Sequence, residues 1–153
     1  VVTIIIMETF LAKMRRLQGV RKVLLLEEAW KAIAKEGMAS YVKYLYKTVR
    51  KYFGEAIVVT QEVEDIISSP IVKESIINNA DCKILLDQRK YRNKFDQIQT
   101  LLGLTDKERA QVLSINLSND PARRYKEVFI SLGGVQSAVY ATEVSDEEYL
   151  VRP

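Results

Sequence analysis

The chain has 153 residues, 48% of them hydrophobic and 28% charged, enough for one globular domain with its own core and too few for two. Its 23 basic and 20 acidic residues leave a net charge of +3, too small to require nucleic acid or an anionic membrane as partner on charge alone. The absence of histidine excludes Ser-His-Asp and Cys-His nucleophile pairs, imidazole bases and histidine metal sites, and the single cysteine, Cys82, forms no internal disulfide, which favours the cytoplasm.

No apolar run approaches the roughly 20 residues of a membrane helix; the longest, Val1 to Met7, is interrupted by Thr3 and ended by Glu8. The opening Val1-Val2-Thr3 has neither an initiator methionine nor the charged lead of a signal peptide, and reads as a chain cut from something longer. Met7, Phe10, Leu11, Met14 and Leu17 recur at helical spacing, with Lys13, Arg15 and Arg16 near the end and Gly19 as the stop. Lys22-Val23-Leu24-Leu25-Leu26 is a continuous apolar run of the kind a strand buried on both faces of a parallel sheet shows, and it ends in Glu27-Glu28. Val42, Leu45, Tyr46, Val49 and Phe53 predict a helix over 39–53 capped by Gly54, and Ala56-Ile57-Val58-Val59-Thr60 is a second strand. Val63, Ile66 and Ile67 belong to the next helix, which Ser68-Ser69-Pro70 breaks and restarts. Lys83 to Asp87 is a third strand, beside which Cys82 reads as a small core residue.

Strands separated by crossover helices predict an α/β domain with a mainly parallel sheet. A helix over 91–102 is closed by Gly103, and Thr105-Asp106-Lys107-Glu108 reads as a capping box. Glu127 to Leu132, Gly133-Gly134 and Val135 to Thr142 form a hairpin signal, with Ser145 to Glu148 capping a last short helix.

Ligands of open parallel sheets sit beyond the carboxyl ends of the strands, so the strand exits are where chemistry is sought. The first exit, Glu27-Glu28, has the Walker B pattern: one carboxylate for magnesium, often through water, and the next for the water that attacks a γ-phosphate. A strand leaving the core into solvent presents the same residues. The second exit delivers Gln61, whose amide both donates and accepts and suits a γ-phosphate sensor or a helix N-cap equally. The third strand carries Lys83 at its entry and Arg89, Lys90 and Arg92 beyond its exit, cations that a neighbouring subunit's phosphate or plain solvent would suit. No Gly-x-x-x-x-Gly-Lys-Ser/Thr loop is present, so on the Walker B reading the phosphate loop belongs to an upstream part of the parent protein.

These residues carry a resemblance. Lys22 to Ile33, with its acid-Glu-Ala-Trp signature at Glu27-Glu28-Ala29-Trp30, resembles the Walker B segment of the TraG-type conjugation ATPases of bacterial conjugative transposons, which belong with the type IV secretion ATPases. Ile57 to Gln61 resembles the next motif, and Asn78 to Leu86 the segment that follows. Over residues 1–153 the resemblance implies the C-terminal part of a partial RecA-like P-loop NTPase fold, with ATP and magnesium as cofactors of the full-length protein and a hexamer as its working state. It implies other conjugation-channel proteins as partners and a cytoplasmic place at the inner face of the inner membrane. By the same resemblance Glu27 is the magnesium-associated acid, Glu28 the catalytic glutamate, Gln61 the γ-phosphate sensor, and Lys83 or Arg89 the trans-acting cation. Glu27 departs from the commoner aspartate, and lysine at position 83 lacks arginine's planar fork.

The fragment alone is expected to be inactive. Omission of the upstream half of a RecA-like domain would leave an unpaired sheet edge and exposed apolar surface, which favours a non-native dimer. A non-catalytic assembly module is the alternative, and so is a DNA-binding face built from Lys43, Lys47, Arg50 and Lys51 with Tyr44 and Tyr52.

Overall fold

The computed structural model describes residues 2–27, 36–61, 77–118 and 125–151. The chain divides into two compact units, Val1–Ala80 and Asp81–Pro153.

The first unit opens with helix α1, Val2–Arg16, on which the helical period puts Met7, Leu11 and Met14 on one buried face. Gly19, at φ 73°, turns the chain into strand β1, Lys22–Glu27. Helix α2, Glu36–Thr48, tightens into a 3-10 helix, Val49–Tyr52, before strand β2, Gly54–Val59. Val42, Leu45 and Val49 complete the core with the three α1 residues, and Leu24, Leu26, Ala56 and Val58 pack against it. β1 and β2 pair in parallel, from Lys22↔Gly54 to Glu27↔Val59.

Burial along β1 alternates instead of covering both faces, which corrects the reading of a fully buried strand. Val23 and Leu25 are 53% and 56% exposed, and Ile57 and Val59 share their face through the parallel register. The core residues of α1 and α2 take only the Leu24–Leu26 side. The cap also differs from expectation. Phe53, not Gly54, takes the left-handed position after the 3-10 helix, at φ 53° and ψ 38°, and its N–H donates to the Arg50 carbonyl at 3.3 Å. Gly54 is instead buried at the start of β2, where a Cβ would stand 2.6 Å from Val49 Cγ2 and 3.0 Å from Met14 Sδ. The helix expected around Val63, Ile66 and Ile67, and its break at Ser68-Ser69-Pro70, lie outside the described residues.

The second unit contains strand β3, Cys82–Leu85, a 3-10 helix, Arg89–Lys94, and helices α3, Phe95–Leu102, and α4, Asp106–Ser114. Strands β4, Tyr125–Leu132, and β5, Gln136–Glu143, and helix α5, Asp146–Val151, follow. The hairpin forms as expected, with Gly133 and Gly134 at φ 55° and 71° and the Val135 N–H donating to the Leu132 carbonyl at 3.0 Å. Because Leu132 pairs with Gln136, Val135 is one residue more than a two-residue turn needs.

β3 joins this hairpin, antiparallel to β4, rather than the parallel pair. Lys83 and Leu85 are half-buried opposite the buried Ser131 and Phe129, while Cys82 and Ile84 are exposed, so this sheet is covered on one face at β3. Cys82 is therefore a surface residue, not a core one. Phe95, Ile98, Val112, Ile115 and Phe129 are buried in this unit, and α4 packs on β4 and β5.

Helix ends here follow local chemistry. Gly103, at φ 65°, caps α3. Thr105 and Glu108 form the reciprocal capping box: the Thr105 N–H donates to Glu108 Oε2 at 2.8 Å, and the Glu108 N–H to Thr105 Oγ1 at 3.2 Å. Ser131 Oγ also donates to the buried Glu108 carboxylate, at 3.3 Å, tying α4 to β4. The Thr105 N–H, with smaller help from serine and threonine hydroxyls, holds the Glu108 carboxyl below the usual carboxylate range. Ser145 and Glu148 make the second box, at 3.1 and 3.2 Å.

Candidate functional site

Parallel pairing has a direct consequence for the first two strand exits. Since β1 and β2 run the same way in one-to-one register, their carboxyl ends lie side by side, with Glu27 opposite Val59 and Gln61 two residues further on. Glu27 and Gln61 are both exposed there. Glu28 and Trp30, which follow β1 directly, lie outside the described residues.

The other ends of these strands are fastened. Half-buried Lys22 donates through Nζ to the Tyr52 carbonyl at 2.7 Å and to the Met14 carbonyl at 3.3 Å, placing its cation at the carboxyl ends of two helices whose dipoles favour it. Its backbone N–H donates to the Phe53 carbonyl at 3.0 Å. Sequence reasoning took Lys22 only as the edge of an apolar run; its position after Gly19 was the available signal.

In the second unit the two finger candidates have different surroundings. Lys83 sits on the half-buried face of β3, opposite Ser131. Arg89 is exposed at the start of its 3-10 helix and is engaged by Asp87. Arg89 Nε donates to Asp87 Oδ1 and Oδ2 at 2.9 and 2.8 Å, and the Arg89 N–H donates to Oδ1 at 3.0 Å. Hydrogen bonding from Arg89 holds the Asp87 carboxyl below its usual range, and the carboxylate raises the guanidinium in turn. Asp87 is the residue that sequence reasoning missed, although an acid two positions before an arginine was there to be read.

On α2, Lys43 is half-buried and Lys47 exposed, and on the 3-10 helix that follows, Arg50 and Lys51 are exposed. Tyr44 is occupied, accepting a hydrogen bond from Arg15 Nη2 at 2.9 Å.

The donor set at the β1 exit is one of carboxylate oxygen, which suits a hard cation such as magnesium. Among the described residues no group of three or more acidic, cysteine or histidine side chains is placed to hold a metal ion. An exposed carboxylate such as that of Glu27 is the donor type that magnesium takes alongside water and substrate phosphates. Among the described residues no helix is long and apolar enough to cross a membrane.

The family model described as the TraG P-loop domain matches residues 1–152. Among solved structures, VirB4 of Thermoanaerobacter pseudethanolicus is similar with a TM-score of 0.63 and 23% sequence identity, over 89% of this chain and 34% of that one. The chain thus spans about a third of the length of that structure. No curated protein matches. The structural likeness bears out the fold, a partial RecA-like α/β arrangement with a parallel pair, an antiparallel sheet and flanking helices.

Proposed function

The chain belongs to the TraG P-loop domain family, and on that premise we propose that it is the part of a conjugative-transfer, type IV secretion ATPase that supplies the Walker B and sensor residues. One observation carries the reading: the exits bearing Glu27 and Gln61 are adjacent ends of parallel strands, the place where open α/β sheets bind ligands.

In this reading Glu27 and its sequence neighbour Glu28 would hold magnesium, through water. The ion, when bound, neutralises charge on the phosphates of ATP. Glu28 accepts the proton of the attacking water, and the Gln61 amide orients that water or reads the γ-phosphate. Arg89 is the better trans-acting cation of the two, because it is exposed and has the planar fork that phosphate recognition uses, whereas Lys83 is half-buried. The 153 residues contain no phosphate loop, so turnover belongs to the parent chain, working as a hexamer with other channel proteins at the inner face of the membrane.

A second reading, assembly without catalysis, is favoured by the apolar face of Val23, Leu25, Ile57 and Val59. Steady-state ATP hydrolysis by the complete parent chain, wild type beside Glu28→Gln, with magnesium and across protein concentration, separates the two. Magnesium-dependent turnover that rises with assembly and vanishes in the variant is expected. Turnover absent from both, or equal in both, would leave the assembly reading.

A further inference from the structure

The sheet of the second unit is apolar on both faces, and helix α4 packs on one of them. Residues paired across an antiparallel sheet point the same way, so Cys82 and Ile84 of β3 share a face with Leu132 and Ile130 of β4, and these with Gln136 and Ala138 of β5. Val128 and Tyr140 continue that face, and Lys126 is its one charge among the described residues. Ser131 and Phe129, both buried, belong to the other face, where Ser131 donates to Glu108 of α4. The first face is open. Ile84, Leu132 and Tyr140 are 60%, 47% and 43% exposed, Cys82 is exposed, and Val128 and Ile130 are only half-buried. An antiparallel sheet that turns one face to water carries polar residues at these alternate positions.

From this we propose that the open face of β3, β4 and β5 is a docking surface for the same face of a second copy of this chain. The exposed fractions amount to about 500 Å² of apolar surface, toward the upper end of the largest patch that a typical monomer leaves open. With Lys126, Gln136 and Thr142 at the rim, each copy contributes about 700 Å² and the pair about 1,400 Å², the size of a stable interface. Charge content selects the occupant. One lysine gives a foreign partner little to recognise, whereas the surfaces that join identical subunits are the apolar, charge-poor ones. A two-fold pairing sets the strip against itself, sheet on sheet about 10 Å apart. With the strands of one copy running opposite to those of the other, the Lys126 end of each lies over the Leu132 end of its partner, and the two ammonium groups stay apart.

The test is sedimentation velocity of the 153-residue chain, without nucleotide, from about 1 to about 100 μM, the range in which a dimer of micromolar affinity forms. It is repeated with Ile84→Glu/Tyr140→Glu, on the open face, and with Leu25→Glu/Ile57→Glu, on the exposed apolar face of the first unit, each checked for fold by circular dichroism. Cys82 is the one thiol of the chain and lies on the proposed interface, so its rate of reaction with an excess of a thiol reagent, at the two ends of that range, reads the interface without any substitution. The expected result is a monomer that becomes a dimer as concentration rises, with association weakened tenfold or more in the first variant and kept in the second. Cys82 should react about threefold more slowly, or slower still, once the dimer forms. A chain that stays monomeric throughout, as it would where upstream chain of the parent or a foreign protein covers this face, would overturn the proposal. Association unchanged in the first variant, association weakened in the second, or a Cys82 rate that does not change with concentration would overturn it too.

Discussion

Gly54→Ala tests the packing that sets the two parallel strands at their common origin. The new Cβ would stand 2.6 Å from Val49 Cγ2, 3.0 Å from Met14 Sδ and 3.1 Å from the Val49 carbonyl oxygen. Met14 is flexible and can give. Val49 is β-branched, stiff about χ1 and buried, and its carbonyl is backbone, so neither of those two contacts relaxes by rotation. Overpacking of this kind costs about 1–3 kcal/mol. The loss of glycine's freedom in the unfolded chain offsets about 0.4–1 kcal/mol of that. A net destabilisation of about 1–2 kcal/mol follows, or a Tm lower by about 2–8 °C for a chain of this length. Urea unfolding of the wild type, Gly54→Ala, Val49→Ala and the double variant measures it, with unchanged m values as the check on a common mechanism. The double variant should be less destabilised than the sum of the singles by about 0.5 kcal/mol or more, because removing Cγ2 removes the closest clash. A Gly54→Ala chain as stable as wild type, or strictly additive singles, would refute the reasoning.

Two further outcomes follow from backbone and charge. Glu108 has a carboxyl held below its ordinary range in the folded state, so its contribution is present above that range and is lost as pH falls through the depressed folded value. Glu108→Gln should therefore cost about 1–2 kcal/mol near pH 7 and converge on wild type in acid, and a cost that does not change with pH would count against the role given to its charge. Phe53 holds a left-handed conformation at φ 53° while 69% exposed, so Phe53→Gly should raise Tm by about 1–3 °C, a gain of the order of the strain relieved less glycine's entropy; a lower Tm would show that the ring's contacts matter more than its backbone.

Where the signal was local chemistry the sequence was legible, except at the Gly54 cap, where Phe53 takes the left-handed position. The Thr105–Glu108 box, the Gly103 cap and the Gly133-Gly134 turn form where they were read, because each depends on residues within a few positions of one another. Partner choice was not legible. The runs at Val23–Leu26 and Lys83–Leu86 look alike as sequence, yet one pairs in parallel with β2 and the other antiparallel with β4. An apolar run specifies that a strand will be partly covered, and leaves open which strand lies beside it and whether one face or two are covered. The candidate site divides in the same way. Glu27 and Gln61 could be read as strand exits because alternating strands and helices already imply a parallel order. The engagement of Arg89 by Asp87 depends on the turn that starts a 3-10 helix, which the strand-and-helix periods do not contain.

The anchoring of Lys22 gives the first unit a mechanical asymmetry. Lys22 binds the ends of two helical segments, and Gly54, its register partner, is packed against Val49 and Met14 with no room for a Cβ. β1 and β2 are thus rooted at their amino ends, like a pair of beams clamped at the base. Opening the pair from that end means losing the Lys22 hydrogen bonds and the Gly54 packing together, which ties the register of the strands to the core of the first unit. A clamp at the base fixes the register along the whole pair, and with it the placing of Glu27 opposite Val59.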